Sequence, residues 1–305
     1  MAAGIYQVTT DATLGVDRPV APMAALTRGR TEKMTSTQVH GVELTCTGPN
    51  SREIGESGAM QGTEGEEPLS GGRITPGVVR VGDTVRRPVT ARSAFVAELL
   101  GHLEARGCTG APRYLGLDDS GRDTFSYLPG RVPTRFQTWS NEQVAVAGLL
   151  LRSLHEATRG SRLAAGHPVV CHHDPGPNNV VFRNDRPAAF IDFDTAAPGH
   201  PLEDLGYMAW TWCVSSKPQA PHAHTQAAQV RILADAYGLY AADRADLLDA
   251  MLDRQARNAD WWRQHLDVPE PRVADDEQIR SRIAWSLREH SYTAANRSVF
   301  AKALR

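Results

Sequence analysis

The chain has 305 residues, enough for one large domain or two modest ones with a sizeable buried core. Its formal charge of −2 gives no electrostatic footprint for nucleic acid or an anionic membrane. No run of about 18 apolar residues is present to span a bilayer. Asp11, Asp17 and Arg18 interrupt any secretory apolar region, and the four cysteines (Cys46, Cys108, Cys171, Cys213) lack paired spacing. Both features point to a cytoplasmic chain with reduced thiols.

Residues 1–68 are rich in Gly, Thr, Ser and Glu and carry neither helical nor strand period, so this segment is expected to be disordered. A short strand over Val39 to Thr45 is the competing reading. Residues 1–59 are expected to be dispensable, with Met60 a candidate start. From Gly71-Gly72 the pattern changes. Strand-like runs at Gly77 to Val81 and Thr84 to Pro88 precede a helix over Ser93 to Arg106, whose apolar stripe is Phe95, Val96, Leu99, Leu100 and Leu103. Two more strands, Arg113 to Leu117 and Thr124 to Leu128, complete a small lobe over 69–130 that ends at Pro129-Gly130.

The remainder, 131–305, reads as a larger helical lobe. Ser140 and Gln143 form a capping box for a helix running to His155. Helices are also predicted over Gln226 to Tyr237, with Gly238 as its stop, about Ala242 to Leu266, and Asp275 to Ala303. The fold class is therefore α+β: a small, partly β lobe, a hinge and a mostly helical lobe.

The chemistry is concentrated between Val169 and Asp194. An apolar strand delivers His172 and Asp174 into a loop that Pro175, Gly176 and Pro177 keep from becoming helix. Asn179 opens a strand to Phe182, and the turn Asn184-Asp185-Arg186-Pro187 reverses the chain into Ala188 to Phe193. This hairpin is expected to return Asp192 beside Asn179 and Asp174. Such oxygen groups suit phosphoryl transfer, in which a carboxylate orients the attacking hydroxyl and hard oxygens hold magnesium.

At these residues the sequence resembles the aminoglycoside phosphotransferase and choline kinase superfamily. The shared pattern is His172-His173-Asp174, then Asn179, then Ile191-Asp192-Phe193, followed by Gly199-His-Pro201-Leu-Glu-Asp204-Leu205. A likeness to actinobacterial phosphotransferases runs from about Gly71 to near the C-terminus. The resemblance implies a protein-kinase-like bilobal fold and ATP-dependent transfer to a hydroxyl of an antibiotic or metabolite. It further implies Asp174 as catalytic base, Asn179 and Asp192 as Mg2+ ligands, and His172 as a brace of the loop. Asp204 is expected to cap the next helix and hold the loop without touching ligand. His173, Asn178, Asn184 and Asp185 read as ordinary turn residues.

The small lobe departs from the family. Its glycine loop, Gly71 to Gly77, is thin, and no lysine lies between residues 34 and 216. Strand alternation separates Arg86 from Arg87, and the resemblance favours Arg87 as the phosphate-contacting cation, with Glu98 or Glu104 as its partner. Ser126, Tyr127 and Leu128 fall where adenine is contacted. Only twelve positions separate Asp192 from Asp204, too few for the segment with which protein kinases dock peptides. Two other readings compete: a catalytically idle nucleotide-binding module, and a metal-hydrolase fragment built on the His172-His173-Asp174 run. His222 and His224 read as loop residues. The pairs Trp210 with Trp212 and Trp261 with Trp262 read as packing.

Overall fold

A computed structural model describes residues 65–69, 77–133, 137–266, 268 and 274–305. The readings for residues 1–59, for the strand at 39–45 and for the glycine loop before Gly77 lie outside the described residues.

The small lobe is a five-stranded antiparallel sheet flanked by one helix. Its elements are β1 (Glu67–Pro68), β2 (Val79–Val81), β3 (Thr84–Arg87), α1 (Ser93–Ala105), β4 (Tyr114–Leu117) and β5 (Asp123–Ser126), with strand order β1-β2-β3-β5-β4. Glu67 and Pro68, the end of the segment expected to be disordered, pair with Arg80 and Val79. In the β3–β5 register Arg87 lies opposite Asp123, and Arg86 opposite Thr124. On α1, Val96, Leu99, Leu100 and Leu103 are buried on one stripe, as their spacing requires.

The large lobe follows as α2 (Asn141–Thr158), β6 (Val169–Cys171), β7 (Val180–Arg183), β8 (Arg186–Phe190), β9 (Ala197–Gly199), α3 (Pro201–Met208), α4 (Ala223–Tyr237), α5 (Ala241–Gln264), α6 (Asp276–Ala295) and α7 (Arg297–Leu304). The capping box at Ser140 and Gln143 is present. Gly238 ends α4 at φ 78°, in the left-handed conformation that glycine adopts without a side-chain clash. The helix expected over Asp275 to Ala303 is two helices. At the break, the Asn296 side-chain amide donates to the Tyr292 carbonyl at 2.9 Å, a local bond that competes with helix continuation.

One hydrophobic core joins the lobes, from Leu99 and Phe125 through Trp139, Phe190 and Leu205 to Phe300. Trp261 and Trp262 pack with Ile279 in a second cluster. Two contacts decide where the chemistry is placed. The hinge meets the β7–β8 hairpin where Arg131 and Phe182 bridge. Gly206 lets α3 lie against the α5 backbone, since a Cβ there would approach within 2.8 Å of the Ala250 carbonyl.

Candidate active site

β6 and β9 pair, with Cys171 opposite Ala197, and from β6 the chain enters the loop carrying His172, His173 and Asp174. Asp204, on α3 and fully buried, holds that loop. Its Oδ2 accepts from the His172 N–H at 2.7 Å and faces His155 Nε2 at 3.0 Å, while Oδ1 accepts from the His173 N–H at 2.7 Å. Burial opposes its charge, but the His155 hydrogen bond and the surrounding histidines prevail and hold the carboxyl at about 2. Asp204 does not cap α3; His200 occupies that position, with Glu203 completing a capping box.

His172 is enclosed against Phe190 and Phe193. Its Nε2 faces the Ile191 carbonyl at 3.1 Å, and its Nδ1 accepts from the Asp174 N–H at 3.3 Å. That arrangement requires the neutral ring, and burial lowers its pKa to about 4. His173 is more than a turn residue. Its backbone is left-handed at φ 62°, and its two ring nitrogens face the Thr195 carbonyl and Glu203, each at 3.1 Å. Burial opposes a charge on the ring, but Glu203 and Asp204 prevail and raise its pKa.

Asp174 is 4% exposed. Its Oδ2 accepts from Asn179 Nδ2 at 2.7 Å, and the Tyr207 hydroxyl interacts with the same carboxylate. Burial raises its pKa well above the ordinary carboxylate range and the Asp192 charge adds to this, while Tyr207 and Arg254 oppose it. The predicted strand to Phe193 stops earlier, at Phe190. The Ile191 N–H bonds the Asn179 carbonyl at 2.9 Å, and Asp192 turns left-handed at φ 65°. Asp192 lies crowded by protein yet keeps surface open to water; burial and then Asp194 push its carboxyl up to about 6.

Arg87 points inward and is 8% exposed, whereas Arg86 lies at the opposite side beside Asp118 at 3.6 Å. Neither expected glutamate pairs with Arg87. Its guanidinium lies 2.6 Å from Asp194 and 3.7 Å from Asp123, with the Phe125 ring at 4.9 Å. Glu98 and Glu104 sit off the buried stripe of α1 and reach Arg162 and Arg113 instead. Asp123 is itself fixed by Ser93 and by the Tyr114 hydroxyl. In the hinge, the Ser126 and Tyr127 N–H groups are committed to the Arg113 and Asp83 carbonyls. Among the described residues the Leu128 N–H has no such acceptor.

A family model described as "Phosphotransferase enzyme family" matches residues 160–248, which include this loop. The trifolitoxin immunity protein of Rhizobium leguminosarum bv. trifolii is 31% identical over 256 residues, covering 77% of this chain and 96% of that protein. The chain belongs to the phosphotransferase enzyme family. Its fold is similar to that of a choline/ethanolamine kinase family protein from Mesorhizobium loti, with a TM-score of 0.55 at 20% identity, covering 80% of this chain and 93% of the other. A spectinomycin phosphotransferase in complex with ADP and spectinomycin gives a TM-score of 0.52 at 13% identity, covering 71% and 88%. The small sheet and helical lobe are thus those of a kinase-like fold.

The donor set of this phosphotransferase fold fits Mg2+. Asp192 and the Asn179 amide oxygen would offer hard oxygen ligands, and the Asp174 carboxylate lies beside Asn179. Two further clusters bring metal-ligating residue types together, His155 with Cys171 and Asp204, and Cys171 with His173 and Glu203. Hydrogen bonds already close both. Cys171 Sγ donates to the His200 carbonyl at 3.3 Å, and burial pushes its thiol far up. All four ring nitrogens of His172 and His173 face protein partners, so the run does not supply the free imidazoles of a metal hydrolase.

Several residues of the site escaped sequence reasoning. Arg254 of α5 donates to the His173 carbonyl at 2.6 Å and stacks 4.4 Å from the Tyr207 ring centre. Arg92 donates to the Asp194 carbonyl at 3.2 Å and to that of Ala196. Trp212 Nε1 donates to the Pro175 carbonyl at 3.0 Å, from a π-helical turn over Ala209–Cys213. These partners are 37 to 104 positions from the groups they hold, so spacing carries no sign of them. Asp194 alone had a local sign, the alternating acids of Asp192-Phe193-Asp194.

Proposed function

We propose that this chain is an ATP-dependent kinase that moves a phosphoryl group to a hydroxyl of a small molecule. The observation that carries this is Asp174: a buried carboxylate with one oxygen fixed by Asn179, inside a loop anchored by Asp204. In this reading Asp174 orients the acceptor hydroxyl and takes its proton. Asn179 and Asp192 hold Mg2+, which supplies neutralisation of the phosphate charge. Arg87 contacts the phosphates, exchanging its ion pair with Asp194 for phosphate oxygens, and the hinge at Ser126 to Leu128 receives adenine. The relative's name is that of an immunity protein, which favours an antibiotic or toxin as acceptor and a protective role.

The test is Mg2+-dependent ATP hydrolysis in the wild-type chain and in Asp174→Asn, followed by a screen of hydroxylated antibiotics and metabolites for stimulated ADP release. Slow hydrolysis that disappears in the variant supports the kinase. Tight MgADP binding with no turnover and no stimulating acceptor leaves the idle nucleotide-binding module instead.

A further inference from the structure

A pocket of about 170 Å³ lies in the helical lobe between the π-helical turn, the 215–221 loop and α6. It adjoins the catalytic loop through one side chain: Trp212 lines the pocket and also donates its Nε1 proton to Pro175, the residue after Asp174. Behind Trp212 the rings of Trp139 and Phe182 stack and hold it in place. We propose that this pocket receives the ring of the acceptor, and that the ring is neutral and hydroxylated, as in a sugar or cyclitol. The proposal rests on the kinase reading above and adds the class of substrate.

The lining carries the argument. Trp285, half-buried and stacked on the buried Trp210 with centroids 4.4 Å apart, supplies flat apolar surface of the kind that the C–H face of a sugar ring covers. Amide and hydroxyl side chains make up most of the polar remainder, and the buried Trp210 Nε1 proton has no acceptor. Among the described lining residues only Glu289 and Lys217 are charged, with opposite signs. Glu289 is already committed: its Oε2 accepts from the Ser216 N–H at 3.0 Å and its Oε1 from the Ser216 hydroxyl at 2.8 Å. A polycation losing water here needs a carboxylate for each charge, and the described lining has none to spare. The volume matches one six-membered ring with its hydroxyls, the room of roughly five or six waters at about 30 Å³ each.

The test uses the full chain without nucleotide, reading tryptophan fluorescence and calorimetry against methyl glucoside, myo-inositol and kanamycin. The expected result is saturable quenching by a neutral ring, with an affinity at least about tenfold above that of kanamycin. Trp285→Leu should lower the neutral-ring affinity about tenfold. Should Trp285→Leu melt abnormally, Ala220→Trp, which fills the pocket from its loop, should abolish binding in a chain with the wild-type melt. Tighter binding of kanamycin than of either neutral ring would overturn the proposal, as would failure of both neutral rings to bind. MgADP binding measured in parallel separates the two readings. A chain that binds MgADP and neither ring refutes only the pocket, whereas ring binding without any Mg2+-dependent turnover refutes the kinase reading and leaves a ring-binding site.

Discussion

Replacing Asp204 by Asn tests whether one buried carboxylate organises the catalytic loop. Asparagine keeps the shape but offers a single acceptor oxygen, and it turns an NH2 group toward the N–H of His172 or His173. The carboxylate accepts two backbone N–H bonds at 2.7 Å and faces His155 at 3.0 Å, and each hydrogen bond to a charged acceptor contributes about 1.5–3 kcal/mol. Leaving buried donors unpaired sets the expected loss at about 3–5 kcal/mol, a fall in melting temperature of roughly 6–20 °C for a chain of this size. The pH dependence gives a second, independent reading. The carboxyl is held at about 2 against 3.8 for a free aspartate, so its contribution is fully present above the unfolded value and is lost as pH falls toward 2. The stability gap between wild type and Asp204→Asn should therefore narrow by about 1 kcal/mol between pH 6 and pH 3. Calorimetric melts at both pH values measure this, and single-turnover transfer should slow by about 10–100-fold as the loop loses its position. A variant that melts within about 2 °C of wild type, with a gap independent of pH, would refute the reasoning.

Asp174→Ala should abolish transfer while leaving MgADP affinity nearly intact, whereas Asp192→Ala should weaken Mg2+–nucleotide binding; calorimetric titration with steady-state turnover separates the two. Arg87→Ala should raise the KM for ATP by more than Arg86→Ala does, because only Arg87 turns inward, and equal small effects would assign the phosphates to another group. His172 is buried neutral with its pKa near 4, so the unfolded chain binds the extra proton between about pH 6.5 and 4. Stability should therefore fall as pH drops through that window, and His172→Asn melts should show a weaker dependence there. Trp212→Phe removes the bond to the Pro175 carbonyl and should cost about 1 kcal/mol, with slower turnover as the loop loosens.

The local part of this protein was legible in its sequence. The α1 stripe, the Ser140–Gln143 capping box and the Gly238 stop depend on neighbours three or four positions away, and the structure places them as the spacing requires. The arrangement of Asp174, Asn179 and Asp192 was also legible, because a short hairpin with a turn at Asn184 and Asp185 brings them together with little freedom. The break at Asn296 was not foreseen, since helical periodicity continues through it and only a side-chain bond interrupts the backbone. What tertiary structure alone decided is how the charges pair. Arg87 has acids available on α1, on β5 and after Asp192, and which one it meets depends on strand register and on the closure of the two lobes. Asp204 offers the same lesson: it was expected both to cap α3 and to hold the loop, and the structure gives the cap to His200 and leaves Asp204 as the anchor. Ion pairs and hydrogen bonds over such separations leave no periodic trace, because their geometry is set by how whole elements pack.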